Sequence, residues 1–93
     1  MFKLAANEGN SDAEWLIGIC YYEGKGTEKN YLKAMESFTK SANQGNSKGK
    51  YYLGVLYEEG KGTENDLKKA IELFTQSAKQ DFPVANYKLG LML

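Results

Sequence analysis

The sequence has no histidine and only one cysteine, Cys20. Without imidazole it lacks the commonest general base and the commonest metal ligand, and a lone thiol cannot close an intramolecular disulfide. Net charge is missing as well. Twelve basic residues balance twelve acidic ones, so the strongly basic field that draws a domain to nucleic acid or to an anionic membrane is absent. No apolar run approaches the roughly 20 residues that span a bilayer, and Met1 to Asn10 do not show the basic-then-apolar order of a signal peptide. These absences predict no cofactor, no metal, no catalytic residues, and neither nucleic acid nor membrane as partner. They describe a soluble chain, cytoplasmic by default. At 93 residues it is one domain at most, with a thin core.

What is present is repetition. Glu23-Gly24-Lys25-Gly26-Thr27-Glu28 returns unchanged as Glu59-Gly60-Lys61-Gly62-Thr63-Glu64, a displacement of 36 residues. The same shift aligns Gly9-Asn10-Ser11 with Gly45-Asn46-Ser47, Gly18 with Gly54, Phe38 with Phe74 and Ala42 with Ala78. A period of this length means stacked supersecondary units. By register, residues 9–44 and 45–80 are complete units, residues 1–8 are the back half of a second helix, and residues 81–93 are a first helix. Neither end carries the polar face of a capping repeat, which predicts a window from a longer array. Self-association through the open ends, where Phe2, Leu89, Met92 and Leu93 lack a next repeat, is the competing reading.

Within each unit the pattern predicts two helices. The first runs from about Ser11 to Glu23, opened by the serine-to-glutamate spacing of a capping box at Ser11 and Glu14. At 100° per residue Ala13, Ile17, Cys20 and Tyr21 share one face, with Leu16 on its shoulder, and this face is assigned to the core of its own repeat. Trp15, Ile19 and Tyr22 occupy the opposite arc. A helix apolar on both sides is buried between layers or lines a binding surface. Gly24 and Gly26 supply φ > 0 turns, and Asn30 and Asp66 are predicted N-caps for second helices at about Tyr31–Asn43 and Leu67–Lys79. The second helices are one-sided, with their outer faces in water. The next first helix repeats the plan, with Gly49, Leu53, Leu56 and Tyr57 as core and Tyr51, Val55 and Glu58 opposite. A third begins near Pro83, with Ala85, Leu89, Met92 and Leu93 as core and Tyr87 and Leu91 opposite. The mid-helix glycines Gly18, Gly54 and Gly90 predict close helix approach that a Cβ would block.

This pattern resembles the Sel-1-like repeat, a relative of the tetratricopeptide repeat. The matching residues are Ala13, Ile17, Gly18, Tyr21, Gly24, Gly26, Asn30, Lys33, Ala34, Phe38 and Ala42, and again Gly49, Leu53, Gly54, Tyr57, Gly60, Gly62, Asp66, Lys69, Ala70, Phe74 and Ala78. Thr27 and Thr63 replace the family's usual valine, Ser37 and Leu73 a frequent aromatic, and Ser41 and Ser77 one of a pair of alanines. The resemblance implies an all-α, right-handed α-solenoid of helix-turn-helix repeats, with first helices lining the concave face, acting as an adaptor in protein assemblies. Some cysteine-rich members have been described as hydrolases of β-lactams, but the regularly paired cysteines of those members are missing here.

Three features invite sharper chemistry and do not sustain it. The G-x-G loops have no preceding strand and no P-loop signature, so they end helices rather than cradle phosphate. Cys20 shares its register with Leu56 and Met92 and reads as a small buried hydrophobe. The acids Glu23, Glu28, Glu58, Glu59 and Glu64 form a solvated rim. The stripe of Trp15, Tyr51 and Tyr87, with Ile19, Val55 and Leu91 beside it and Tyr22, Glu58 and Glu59 below, is the candidate binding surface, because aromatic anchors are enriched at binding hot spots. The alternative is that these rings fill the seam between repeats. The reading is a non-enzymatic module presenting a helical groove to a peptide or protein partner. A scaffold segment that stacks on further repeats or on itself is the second reading.

Overall fold

Helix boundaries in this protein are set by local side chains. The computed structural model describes residues 11–80 and 82–92, so the expected second-helix fragment at residues 1–8 lies outside the described residues. Those described form five helices and no strand: α1 Ser11–Glu23, α2 Tyr31–Asn43, α3 Ser47–Glu59, α4 Leu67–Lys79 and α5 Pro83–Met92. Asn30 and Asp66 are the N-caps of α2 and α4, each side chain accepting from the backbone N–H three residues on, at 3.0 Å. Gly24 and Gly60 end α1 and α3 at φ 74° and 66°, and Gly26 and Gly62 make the second left-handed turn at 75° and 77°.

The residues before Ser11, and with them the N-terminal cap of α1, lie outside the described residues. The Ser11 hydroxyl accepts from Asn46 Nδ2 at 3.2 Å and its carbonyl from Ser41 Oγ at 2.8 Å. Asn46 itself caps α3, accepting from Lys48 and Gly49. One side chain therefore starts a helix and ties it to the preceding first helix.

In α3 both apolar faces carry buried residues, but their partners are exchanged. Leu53 and Leu56, expected to face their own repeat, cluster with Ala34, Phe38 and Ala42 of the preceding α2. Gly49 lies on Ser41 and Ala42 in the same seam. The opposite arc meets the helix of its own repeat: Val55 clusters with Ala70 and Phe74 of α4, while Trp15 and Ile19 lean on the cluster that holds Phe38. Periodicity fixes the angle between two faces and not which neighbour each one meets. The glycines decide it. A Cβ at Gly18 would stand inside the Phe38 ring, and one at Gly54 would come within 2.8 Å of Phe74. Each notch admits a phenylalanine from the second helix of the same repeat. Both rings are fully buried, a burial worth about 1.5–3 kcal/mol each. Gly90 departs from the pattern, since nothing described lies within 4 Å of where its Cβ would be.

The serines that replace alanine in the second helices are not idle. Ser41 and Ser77 are fully buried, and each hydroxyl donates to the first carbonyl of the preceding first helix in its repeat, Ser11 at 2.8 Å and Ser47 at 2.7 Å. A buried hydroxyl left unbonded would be costly, so the repeat carries its own acceptor. No helix among the described residues is long and apolar enough to cross a membrane.

Candidate interaction surface

The first helices α1, α3 and α5 form a row, and side chains link each to the next. Trp15 of α1 stacks on Tyr52 of α3, ring centroids 5.8 Å apart and nearly parallel at 4°. Tyr52 in turn stacks on Phe38 at 5.4 Å and meets the edge of Tyr51 at 5.0 Å. Tyr51 continues to Phe74 and to Phe82, just before α5, each at 5.4 Å. Of the expected ladder, Trp15 and Tyr51 are thus joined through Tyr52, and from Tyr51 the rings run to Phe74 and Phe82 rather than to Tyr87. Sequence reasoning gave Tyr52 no role, because its register partners are Leu16 and Lys88. The signal was the adjacent pair Tyr51-Tyr52, two rings that point to neighbours on different helices: Tyr52 to Trp15 and Phe38, Tyr51 to Phe74 and Phe82.

The remaining candidates divide. Trp15, Ile19, Tyr22 and Tyr51 are half-buried, and Lys48 Nζ lies 5.2 Å from the Trp15 ring centroid. Val55 is only 9% exposed and belongs to the core, supporting the surface from beneath. Tyr87 and Leu91 stand out at 71% and 66% exposed. Glu58 reaches Lys88 of α5 at 2.8 Å, tying α3 to α5. That hydrogen bond holds the Lys88 ammonium above its ordinary pKa, against the opposing effect of its partial burial. Burial raises the hydroxyl pKa of both Tyr51 and Tyr52.

Below the ladder a polar knot closes the seam between the two repeats. Tyr22 donates its hydroxyl to Glu59 at 2.6 Å, and its ring tilts on Tyr31 at 5.7 Å. Lys61 pairs with Glu59 at 3.5 Å and sits 5.4 Å and 5.1 Å from the Tyr22 and Tyr31 ring centroids. Burial, with the hydrogen bond and charge of Glu59, pushes the Tyr22 hydroxyl far above its ordinary range. Lys61 is also held above its usual value, Glu59 and Tyr31 outweighing the desolvation that works the other way. The acids expected to be a free rim are thus unequal. Glu23 pairs with Lys25 in the open at 3.2 Å, a contact worth little, while Glu58 and Glu59 are engaged between helices.

Among the described residues no group of three or more histidine, cysteine or acidic residues is arranged to hold a metal ion. Cys20 is a free, partly buried thiol. The surface offers ring faces, ring edges and paired charges, which is the chemistry of side-chain recognition.

The Sel1 repeat family matches at residues 11–46 and again at 47–82. Among solved structures, the chain superposes on a Sel1 repeat protein from Oxalobacter formigenes with a TM-score of 0.87 and 34% identity, covering 91% of this chain and 35% of that one. It superposes on c5321, a protective antigen present in uropathogenic Escherichia coli strains and displaying an SLR fold, with a TM-score of 0.91 and 32% identity, over 98% of this chain and 20% of that one. The Helicobacter pylori cysteine rich protein B shares the fold at a TM-score of 0.86 and 23% identity, over 95% of this chain and 66% of that one. The chain thus spans about a third and a fifth of the first two. No curated protein matches.

Proposed function

The chain belongs to the Sel1 repeat family, whose repeats generally serve in protein–protein interaction, and from that premise we propose that its row of first helices receives a peptide or helix of another protein. The contact surface is built from Trp15, Ile19, Tyr22, Tyr51, Glu58, Tyr87 and Leu91, with Val55 as its buried support. The observation that carries this reading is the ring chain from Trp15 through Tyr52 to Tyr51. These rings are locked by stacking, yet each remains half-exposed. Rigid, partly exposed rings offer contact area at little entropic cost on binding. The module acts by binding and not by catalysis.

Trp15 is the sole tryptophan, so its fluorescence reports on the surface directly. Peptides selected against the chain from a random display library are expected to shift the Trp15 emission. Tyr87→Ala should weaken the selected peptide by at least about tenfold, or about 1.4 kcal/mol, with far-UV circular dichroism unchanged. Selected peptides that leave both the emission and the Tyr87→Ala affinity unaltered would place the binding surface elsewhere.

A further inference from the structure

Trp15 and Tyr51 hold the same position in successive repeats, so the step from one ring to the next is the spacing of packed helices, about 8–10 Å. Both touch the ring of Tyr52, at 5.8 Å and 5.0 Å between centroids. A ligand that uses both rings must present matching side chains on one face at about that interval. A β-strand returns to the same face every two residues, about 6.7 Å, and falls short. A polyproline II strand returns every three residues, about 9.3 Å, and an α-helix after seven, about 10.5 Å. Spacing alone leaves these two.

The polar atoms around the rings decide between them. The Trp15 indole N–H and the Tyr51 and Tyr52 hydroxyls make no hydrogen bond among the described residues. Burial raises the pKa of both phenols, so both stay protonated and able to donate. Three donors are thus left for acceptors on a ligand. The interior carbonyls of an α-helix are spent on its own N–H groups. A polyproline II strand has no internal hydrogen bonds, so its carbonyls are free to accept.

Charge points the same way. Three charges that border the rings are taken up within the chain: Lys48 by the Trp15 ring, Glu58 by Lys88, and Glu59 by Tyr22 and Lys61. A charged ligand residue has to compete with these contacts, which favours an uncharged one. Proline meets each requirement, since its ring carries no charge, packs on aromatic side chains and fixes φ near the polyproline II value.

We infer that the partner segment is an uncharged, proline-rich polyproline II strand lying across α1 and α3, with prolines at i and i+3 on Trp15 and Tyr51 and its backbone carbonyls accepting from the indole and the tyrosine hydroxyls. This rests on the row of first helices being the binding surface, and it selects an extended strand over a helix.

Titration of the 93-residue chain, read by the emission of Trp15, tests it with three capped, uncharged peptides. One carries two Pro-x-x-Pro steps filled with alanine and glutamine, the second has the same composition with its prolines at every second position, and the third is a helix of alanine, glutamine and leucine. The first should give a saturable shift, and the second should bind at least about tenfold more weakly, or about 1.4 kcal/mol. Its affinity should change by less than about twofold between low and high salt, because no exposed charge pair forms. Tyr51→Phe keeps the ring and its packing but removes a donor, and should weaken the first peptide by about three- to tenfold. A Pro-x-x-Pro peptide that leaves the emission unmoved, binds no better than its isomer, weakens steeply with salt or ignores Tyr51→Phe would overturn the inference. If the helical peptide or library-selected peptides still move the Trp15 emission, the first-helix surface stands and only the strand is wrong. If no peptide of any kind moves it, both fall.

Discussion

Gly62 lies directly against the backbone of Tyr31: a Cβ added there would stand 2.6 Å from the Tyr31 carbonyl oxygen and 2.9 Å from its carbon. The loop of the second repeat is thereby docked on the opening turn of α2. Its twin in the first repeat has the same six residues and nearly the same φ, 75° at Gly26 against 77° at Gly62, yet apart from its chain neighbours nothing described lies within 4 Å of where a Gly26 Cβ would stand.

The pair separates two costs that a single substitution would merge. Alanine at either position is forced into left-handed backbone, at about 1–2 kcal/mol. Only at Gly62 must the loop also leave Tyr31, which adds strain of about 1–3 kcal/mol. Urea unfolding of Gly26→Ala and Gly62→Ala should therefore show a clearly larger loss for Gly62→Ala. Equal losses would mean that the loop is not docked on α2.

Gly54 and Gly90 form a second matched pair, with opposite expected signs. Both are mid-helix, where glycine costs about 1 kcal/mol relative to alanine. A methyl group at Gly54 meets Phe74 at 2.8 Å and the Ala70 carbonyl at 3.3 Å, whereas at Gly90 it meets nothing among the described residues. Gly90→Ala is expected to raise the thermal midpoint of dilute protein, and Gly54→Ala to lower it. A stabilising Gly54→Ala would remove the notch from the account of why repeats fold as pairs.

Much of this was legible before the structure because it is local chemistry. Asn30 and Asp66 cap because their side chains reach a backbone N–H three residues away, and Gly24 and Gly60 end helices because they adopt φ > 0. Relations between helices were less legible. The faces of α3 were exchanged because Leu53 and Val55 are both apolar, and only Gly54 beside Phe74 shows which face meets α4. Tyr52 was overlooked because its partners lie on neighbouring helices rather than in its own periodic pattern. The docking of Gly62 has no sequence signal at all, since the two hexapeptides are identical.

Tyr22 and Glu59 predict a response to alkali. The Tyr22 pKa in the folded chain is raised above its ordinary 10.0, so the folded state favours the neutral phenol. The stabilisation is fully present below about pH 10 and is lost as pH rises from there through the folded value. Tyr51 and Tyr52 shift the same way, through burial. Stability should be level up to about pH 9 and fall above about pH 10. Tyr22→Phe should make that fall shallower, at a loss near neutrality of about 1 kcal/mol or less, because the Glu59 contact is exposed to solvent. An alkaline slope identical in Tyr22→Phe and wild type would show that this hydroxyl does not couple to folding.

Tyr51 and Tyr87 occupy the same position in successive repeats, and the structure assigns them different burdens. Tyr51 touches Tyr52, Phe74 and Phe82 and packs against the cluster of Val55, Ala70 and Phe74, so truncation removes contacts from the fold itself. Tyr87 is 71% exposed. Tyr51→Ala should destabilise by about 2–4 kcal/mol, toward the lower end of the range for large-to-small changes because the ring is only half-buried. Tyr87→Ala should fall within about 0.5 kcal/mol of wild type. Paired urea titrations decide this, with fluorescence of Trp15 as a local probe and circular dichroism as a global one. If both substitutions prove equally mild, the Tyr51 ring is held by solvent-facing contacts alone and the ladder is a surface along its whole length. If both are severe, Tyr87 is buried by a contact made in solution, and the dilution dependence of the loss identifies that contact as one between copies.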